Sequence, residues 1–287
     1  MHLKEVSGIL SKNNGMNISR GCIHSCIYCD SRSKCYNITH DFEDVEIKIN
    51  APQLLEKKLK SKKKKCMIST GSMSDPYMNV VESLDLTRRC FEIIARYKFG
   101  LTTITKSNLI LRDLDLLKEI NKTKCVVSTT LTTFDESLCK IIEPNVSTTK
   151  ERVEMLKIMN QNEIKTIVWL CPILPFINDT EENIMGILNY CIEAKVYGIL
   201  CFGMGLTLRD GNREYFYSQL DKHFTGLKEK YIKIFRDDYV ISSPNNKELM
   251  KLFRQVCKEN KIITNTNEIF NYLSTLGDTT DGQMSIF

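Results

Sequence analysis

The sequence predicts an α/β chain: a partial (β/α)6 barrel of the TIM type followed by a helical C-terminal extension. Two observations lead there. From Met16 to Phe202, short β-branched runs alternate with segments of helical periodicity, the pattern of right-handed βαβ units around a parallel sheet. Six such strands are too few to close an eight-stranded barrel, so one side is expected to stay open, with chemistry at the C-terminal strand ends. Beyond Gly203 the strands give out and helical patterns remain. The expected division is 1–202 for the barrel, 203–276 for the helical region and 277–287 for a tail.

Each element has a local reason. Met16–Ser19 is a short first strand. Asn50-Ala51-Pro52 opens a helix with a capping side chain and a proline in the first turn. That helix runs into Lys57-Lys58-Leu59-Lys60-Ser61-Lys62-Lys63-Lys64-Lys65, read as a solvated helix end. Cys66–Thr70 is a buried strand closed by Gly71. Leu84–Tyr97 carries apolar residues at helical spacing with Ser83 as its cap. Gly100–Thr105 is a β-branched strand, Leu109–Ile120 a helix and Cys125–Thr130 the next strand. Thr148-Thr149-Lys150-Glu151 is a capping box opening a helix through Met159. Thr166–Cys171 is a strand, Asp179-Thr180-Glu181-Glu182 caps a helix through Ala194, and Tyr197–Phe202 is the last strand. Helices are expected near 213–231, 246–260 and 268–276.

Composition bounds the function classes. The 287 residues are 42% hydrophobic and 26% charged with net charge +5, ordinary for a folded domain with a sizeable core. The mild basic excess permits an anionic partner without requiring one. The first residues lack the apolar core of a signal peptide. The most apolar run, Thr166–Ile177, is too short for a bilayer and contains Pro172 and Pro175. The expectation is a cytoplasmic protein with reduced thiols and no membrane partner.

Of the twelve cysteines, nine are scattered without a second CxxC hook. The other three, Cys22, Cys26 and Cys29, fall within eight residues at C-x3-C-x2-C spacing. Three thiols in one loop leave a disulfide unpaired, and a structural zinc site needs a fourth ligand. The spacing suits a [4Fe–4S] cluster, with three irons held and the fourth open to a small chelating molecule. A zinc knuckle or buried apolar cysteines are the alternatives.

This cysteine motif resembles that of the radical S-adenosylmethionine (SAM) enzymes. The resemblance implies that SAM chelates the open iron and that Tyr28 packs on its adenine. SAM carries a zwitterionic methionyl end, a ribose and a base, and successive strand ends offer Ser74 and Asp75, Thr105-Lys106-Ser107 and Ser128. Asp75 suits the ammonium, Lys106 the carboxylate and Ser128 the ribose, through charge-assisted bonds.

With Ser-Asp-Pro after the second strand, Thr-Lys-Ser after the third and Asn178-Asp179 beyond Pro172 and Pro175, the chain resembles the spore photoproduct lyase-like group over roughly Met16–Phe202. That implies a partial barrel, one cluster, an electron donor such as flavodoxin or ferredoxin, and a DNA lesion-like substrate attacked by hydrogen abstraction. The chain departs from the group at Ser72, where the lyase has its hydrogen-donating cysteine; Cys66 and Cys171 are the other candidate donors. A protein or peptide substrate, and a non-catalytic iron–sulfur or zinc protein that binds DNA, are the alternative readings. Finally, Gln283-Met284-Ser285-Ile286-Phe287 resembles the peptide by which bacterial repair and replication proteins hold the sliding clamp, an extended segment with two apolar anchors.

Overall fold

The computed structural model describes residues 1–276. Its centre is a parallel sheet of six strands among the described residues: β2 (Gly15–Met16), β5 (Met67–Thr70), β6 (Gly100–Ile104), β7 (Cys125–Thr130), β8 (Lys165–Trp169) and β9 (Gly198–Leu200). They lie side by side in chain order, each pair parallel, with β2 and β9 left as the two edges. Sequential parallel neighbours joined by helices are what right-handed crossovers produce. The partial barrel is therefore as the alternation of the sequence predicts. Every residue of β7 is buried, as expected of a central strand covered on both faces.

The expected first strand divides. β2 ends at Met16, and the chain then leaves the barrel for a second sheet of β1 (His2–Lys4), β4 (Glu46–Lys48) and β3 (Ser19–Arg20), in that spatial order. The apolar run across Met16 and Ile18 hides this switch, because both residues are buried on either side of it.

The outer helices α1 (Ala51–Ser61), α2 (Val81–Arg96), α3 (Leu114–Asn121), α5 (Thr149–Gln161) and α6 (Glu181–Glu193) stand close to their expected positions. The Thr148 capping box is formed as predicted. Ser83, by contrast, is not a cap: α2 starts two residues earlier, and the buried Ser83 hydroxyl lies 3.2 Å from that of Ser19. A further short helix, α4 (Glu136–Ile142), separates β7 from α5.

After β9 the chain is less purely helical than expected. β10 (Gly205–Thr207) and β11 (Val240–Ser242) pair antiparallel and enclose two helices, α7 (Asn212–His223) and α8 (Leu227–Phe235). The single helix expected over 213–231 breaks before Gly226, whose φ of +78° favours a residue without a side chain. α9 (Asn246–Glu259) and α10 (Thr266–Ser274) follow. Ile269 and Leu273 of α10 pack with Met67, Val126, Ile167 and Leu200. α10 therefore packs against residues of β5, β7, β8 and β9. No helix among the described residues is long and apolar enough to cross a membrane. The clamp-like peptide, Gln283–Phe287, lies outside the described residues.

Candidate active site

The C-terminal strand ends open into one cavity of about 570 Å³. Its wall takes residues from five of the six strand ends: Gly71 to Asp75 after β5, Ile104 to Lys106 at β6, Thr130 at β7, Trp169, Cys171 and Pro172 at β8 and Phe202 to Leu206 beyond β9. Cys22, Cys26 and Cys29 complete it from the loop that follows β3. The strand-end rule and the cysteine motif thus meet in one place.

The cysteine loop is clamped from three directions. Cys22 N–H donates to the Phe42 carbonyl (2.8 Å), and Ile27 N–H donates to that of Ile142 (3.0 Å). The Asn145 amide donates to the Ile23 carbonyl at 2.9 Å, and the Ser74 hydroxyl to that of Gly21 at 2.6 Å. Three thiolates from one loop suit a cluster that keeps one iron open, whereas a closed structural zinc site needs a fourth ligand. Burial pushes the Cys22 thiol up to about 12 and that of Cys26 well above its ordinary value, so in the bare protein both favour the protonated form, which a bound cation would reverse.

Beneath the loop is a buried ionic network that local sequence patterns do not reveal. Glu143 and Arg152 form an ion pair with both side chains fully buried. Glu143 also accepts from the Tyr28 hydroxyl. The Arg152 guanidinium donates to the Thr130 carbonyl at 2.7 Å and reaches Cys139 Sγ at 3.2 Å. Burial alone would raise the Glu143 carboxyl, but Arg152 and Lys106 outweigh it and hold it below the ordinary value. Arg152 lies nine residues from Glu143, and Tyr28 lies 115 residues away. The only local hint is an acid beside proline, Glu143-Pro144.

The expected SAM-binding residues separate on inspection. Tyr28, Ser74, Asp75 and Lys106 all line the cavity. Asp75 is already committed: Oδ1 accepts from the Thr105 hydroxyl (2.6 Å) and Tyr77 N–H (2.8 Å), and Oδ2 from Lys106 N–H (2.7 Å). His24 Nδ1 is 3.4 Å from Oδ2. Asp75 therefore ties the β5 and β6 loops together and supports the backbone of Lys106.

Lys106 is the freer group. Among the described residues no side chain accepts from its Nζ, which lies 5.7 Å from the centroid of the Tyr28 ring. Burial opposes its charge, but Cys26, Glu143 and Cys29 outweigh that and raise its pKa. Ser128 does not line the cavity; Thr130, two residues on and on the same strand face, does. The strand has its expected bounds, Cys125–Thr130, and within it Thr130, not Ser128, meets the cavity.

At the mouth, Trp169 and Phe202 both line the cavity, with ring centroids 6.1 Å apart, and Phe270 of α10 extends the group at 6.0 Å from Trp169. Phe202 is 59% exposed and Phe270 41%, so the aromatic surface continues from the cavity to solvent. Ser72 and Cys171 are also in the wall. Cys66 precedes β5 at the other end of its strand and is not.

A profile of the Radical SAM superfamily matches residues 16–190, well over half the chain. The chain belongs to that superfamily, whose enzymes use a [4Fe–4S] cluster and SAM. An uncharacterised protein of Methanocaldococcus jannaschii is 34% identical over 163 residues, 56% of this chain and 60% of that protein. One of Mycobacterium tuberculosis is 26% identical over 224 residues, 76% of this chain and 65% of that protein. The chain thus spans about three-fifths to two-thirds of these relatives. A protein of Acidianus two-tailed virus is 27% identical over 251 residues, 77% of this chain and 81% of that one. Among solved structures, a spore photoproduct lyase with bound AdoMet and dinucleoside spore photoproduct superposes with a TM-score of 0.60 at 14% identity. The superposition covers 85% of this chain and 72% of the lyase, a likeness of fold.

Proposed function

We propose that this chain is a radical SAM enzyme that abstracts hydrogen from a nucleic-acid substrate held at the open barrel mouth. The observation that carries the proposal is a single cavity with three thiols in one wall and Trp169 and Phe202 in another. When bound, the cluster and SAM supply a 5′-deoxyadenosyl radical by reductive cleavage. Every other role falls to the chain. Cys22, Cys26 and Cys29 hold the cluster. Lys106 would pair with the SAM carboxylate, Tyr28 would offer its ring to the adenine, and Thr130 would give the ribose hydroxyls a partner. Ser74 and Asp75 hold the loops that carry these groups.

Aromatic faces at the mouth suit bases, which stack on them with little regard to sequence. The basic balance of the chain favours an anionic backbone alongside. With Ser72 in place of a thiol, Cys171 is the hydrogen donor on this reading. Its S–H stays intact because burial, then the neighbouring Cys201, pushes it up to about 12, and a neutral thiol is the form that gives a hydrogen atom.

The test is anaerobic turnover of the reduced, cluster-loaded protein with SAM, with and without single-stranded and lesion-bearing oligonucleotides. Wild type should release 5′-deoxyadenosine and Cys26→Ala should not. Solvent deuterium should enter the product in wild type but not in Cys171→Ala. Absence of deoxyadenosine from a fully loaded protein would sink the enzyme reading; release stimulated by peptides and not by oligonucleotides would replace the substrate.

A further inference from the structure

A second cluster of ligating side chains lies outside this cavity, on the three-stranded sheet. His2 at the start of β1, His40 before β4 and Glu46 in β4 offer one ligand atom each, all within 4.8 Å of one another. The parallel pairing of β1 with β4 puts His2 opposite Glu46 in register, and the two imidazoles meet edge to face with centroids 4.9 Å apart.

The hydrogen bonds around the rings fix which nitrogens are free. His40 Nδ1 lies 2.9 Å from the Asp41 carbonyl, which can only accept, so Nδ1 is the donor and Nε2 is the nitrogen left to bind. His2 Nδ1 lies 3.0 Å from Asp44 Oδ2, with the same consequence. His2 Nε2 is then turned toward Glu46 Oε2, 3.8 Å away. An imidazole whose second nitrogen donates to a carbonyl or carboxylate is the arrangement by which proteins orient metal-binding histidines. Glu46 is buried, with both histidines half-exposed above it.

We infer that His2, His40 and Glu46 form a binding site for a divalent first-row metal ion of the zinc type, separate from the cysteine loop. Two neutral imidazoles and one carboxylate are a donor set for such an ion, with water completing the shell on the exposed side. Lys4 now holds Glu46 Oε2 at 2.8 Å, but its side chain is 53% exposed. The carboxylate is buried, but the lysine head is free to swing into solvent when an ion takes its place. The ion would fasten β1 to β4. It would also brace the approach to the cysteine loop, because Arg20 pairs with Glu46 across β3 and β4 and the His40 ring stands beside Gly21.

The probe is zinc. Full-length protein with its cluster reconstituted, so that the loop cysteines are occupied, is exposed to zinc, gel-filtered and analysed for metal. One zinc per chain should remain, with a nitrogen and oxygen shell at about 2.0–2.1 Å and no sulfur at about 2.3 Å in the zinc X-ray absorption spectrum. His2→Ala and His40→Ala should each weaken zinc binding at least about 10-fold while retaining iron content, and Lys4→Ala should tighten it. Three results would each overturn the inference: no retained zinc in the cluster-loaded wild type, a sulfur shell around it, or undiminished zinc in both histidine variants. If a variant does not fold, the wild-type spectrum alone decides.

Discussion

Replacing Glu143 with alanine tests whether the buried ion pair organises the cysteine loop. Both side chains of the Glu143–Arg152 pair are fully buried. The substitution leaves a guanidinium that stays charged, with the Thr130 and Thr148 carbonyls and Cys139 Sγ as its remaining partners. Removing one partner of a buried pair costs about 3–5 kcal/mol, because the other charge is left uncompensated. At about 2–4 °C per kcal/mol for a chain of this size class, the melting temperature should fall on the order of 10 °C. Thermal unfolding followed by circular dichroism measures it.

A pH series adds a signature that simple cavity formation lacks. The folded-state pKa of Glu143 is depressed, so its contribution is fully present above the ordinary value of 4.5 and is lost as pH falls through the depressed one. The difference between wild type and Glu143→Ala should therefore be flat near neutrality and shrink only in acid. In Arg152→Met the carboxylate is left unpaired and its pKa rises, so that variant should become less stable as pH increases toward neutrality. A shift of less than about 2 °C for Glu143→Ala would refute the reasoning, since it corresponds to about 1 kcal/mol or less.

Three further outcomes are expected. Gly71→Ala should lose on the order of 3 kcal/mol or more, read from chemical denaturation: its φ is +96°, and a Cβ there would stand 1.9 Å from the Ile104 carbonyl oxygen. Lys106→Ala should weaken SAM binding roughly 10- to 100-fold, the loss of a hydrogen bond to a charged group. In the same titration Thr130→Val should weaken binding more than Ser128→Ala, because only Thr130 lines the cavity. Trp169 is the chain's single tryptophan, so single-stranded oligonucleotides should quench its fluorescence directly. Phe202→Ala should weaken that binding roughly 5- to 100-fold, and unchanged emission at saturating oligonucleotide would place the nucleic acid elsewhere.

The parts of the site legible in the sequence are those whose geometry is local. Cys22, Cys26 and Cys29 are brought together by the loop that contains them, so spacing alone reports their proximity. Ser74, Asp75 and Lys106 were legible because a parallel barrel presents its strand ends on one face. Their individual tasks were not. Asp75 reads as a free carboxylate for a ligand, yet both of its oxygens are taken by β5 and β6 loop donors. The strand Cys125–Thr130 was legible, but which of its residues meets the cavity was not: Thr130 lines the wall and Ser128 does not.

By itself the sequence determined the alternation that builds an open parallel barrel, the motif that can hold a cluster, and the end of the barrel where the two meet. These follow from residue periodicity and short spacing, which act within a strand, a helix or a loop. Only the tertiary structure decided what supports and surrounds that loop. It brought Tyr28 to Glu143 across 115 residues and set Glu143 on Arg152. It placed Trp169, Phe202 and Phe270 around one mouth, and turned His2 toward Glu46 across 44 residues. Such partners are chosen by packing between distant elements, where the requirement to neutralise or satisfy a buried group is met by whichever residue the fold delivers.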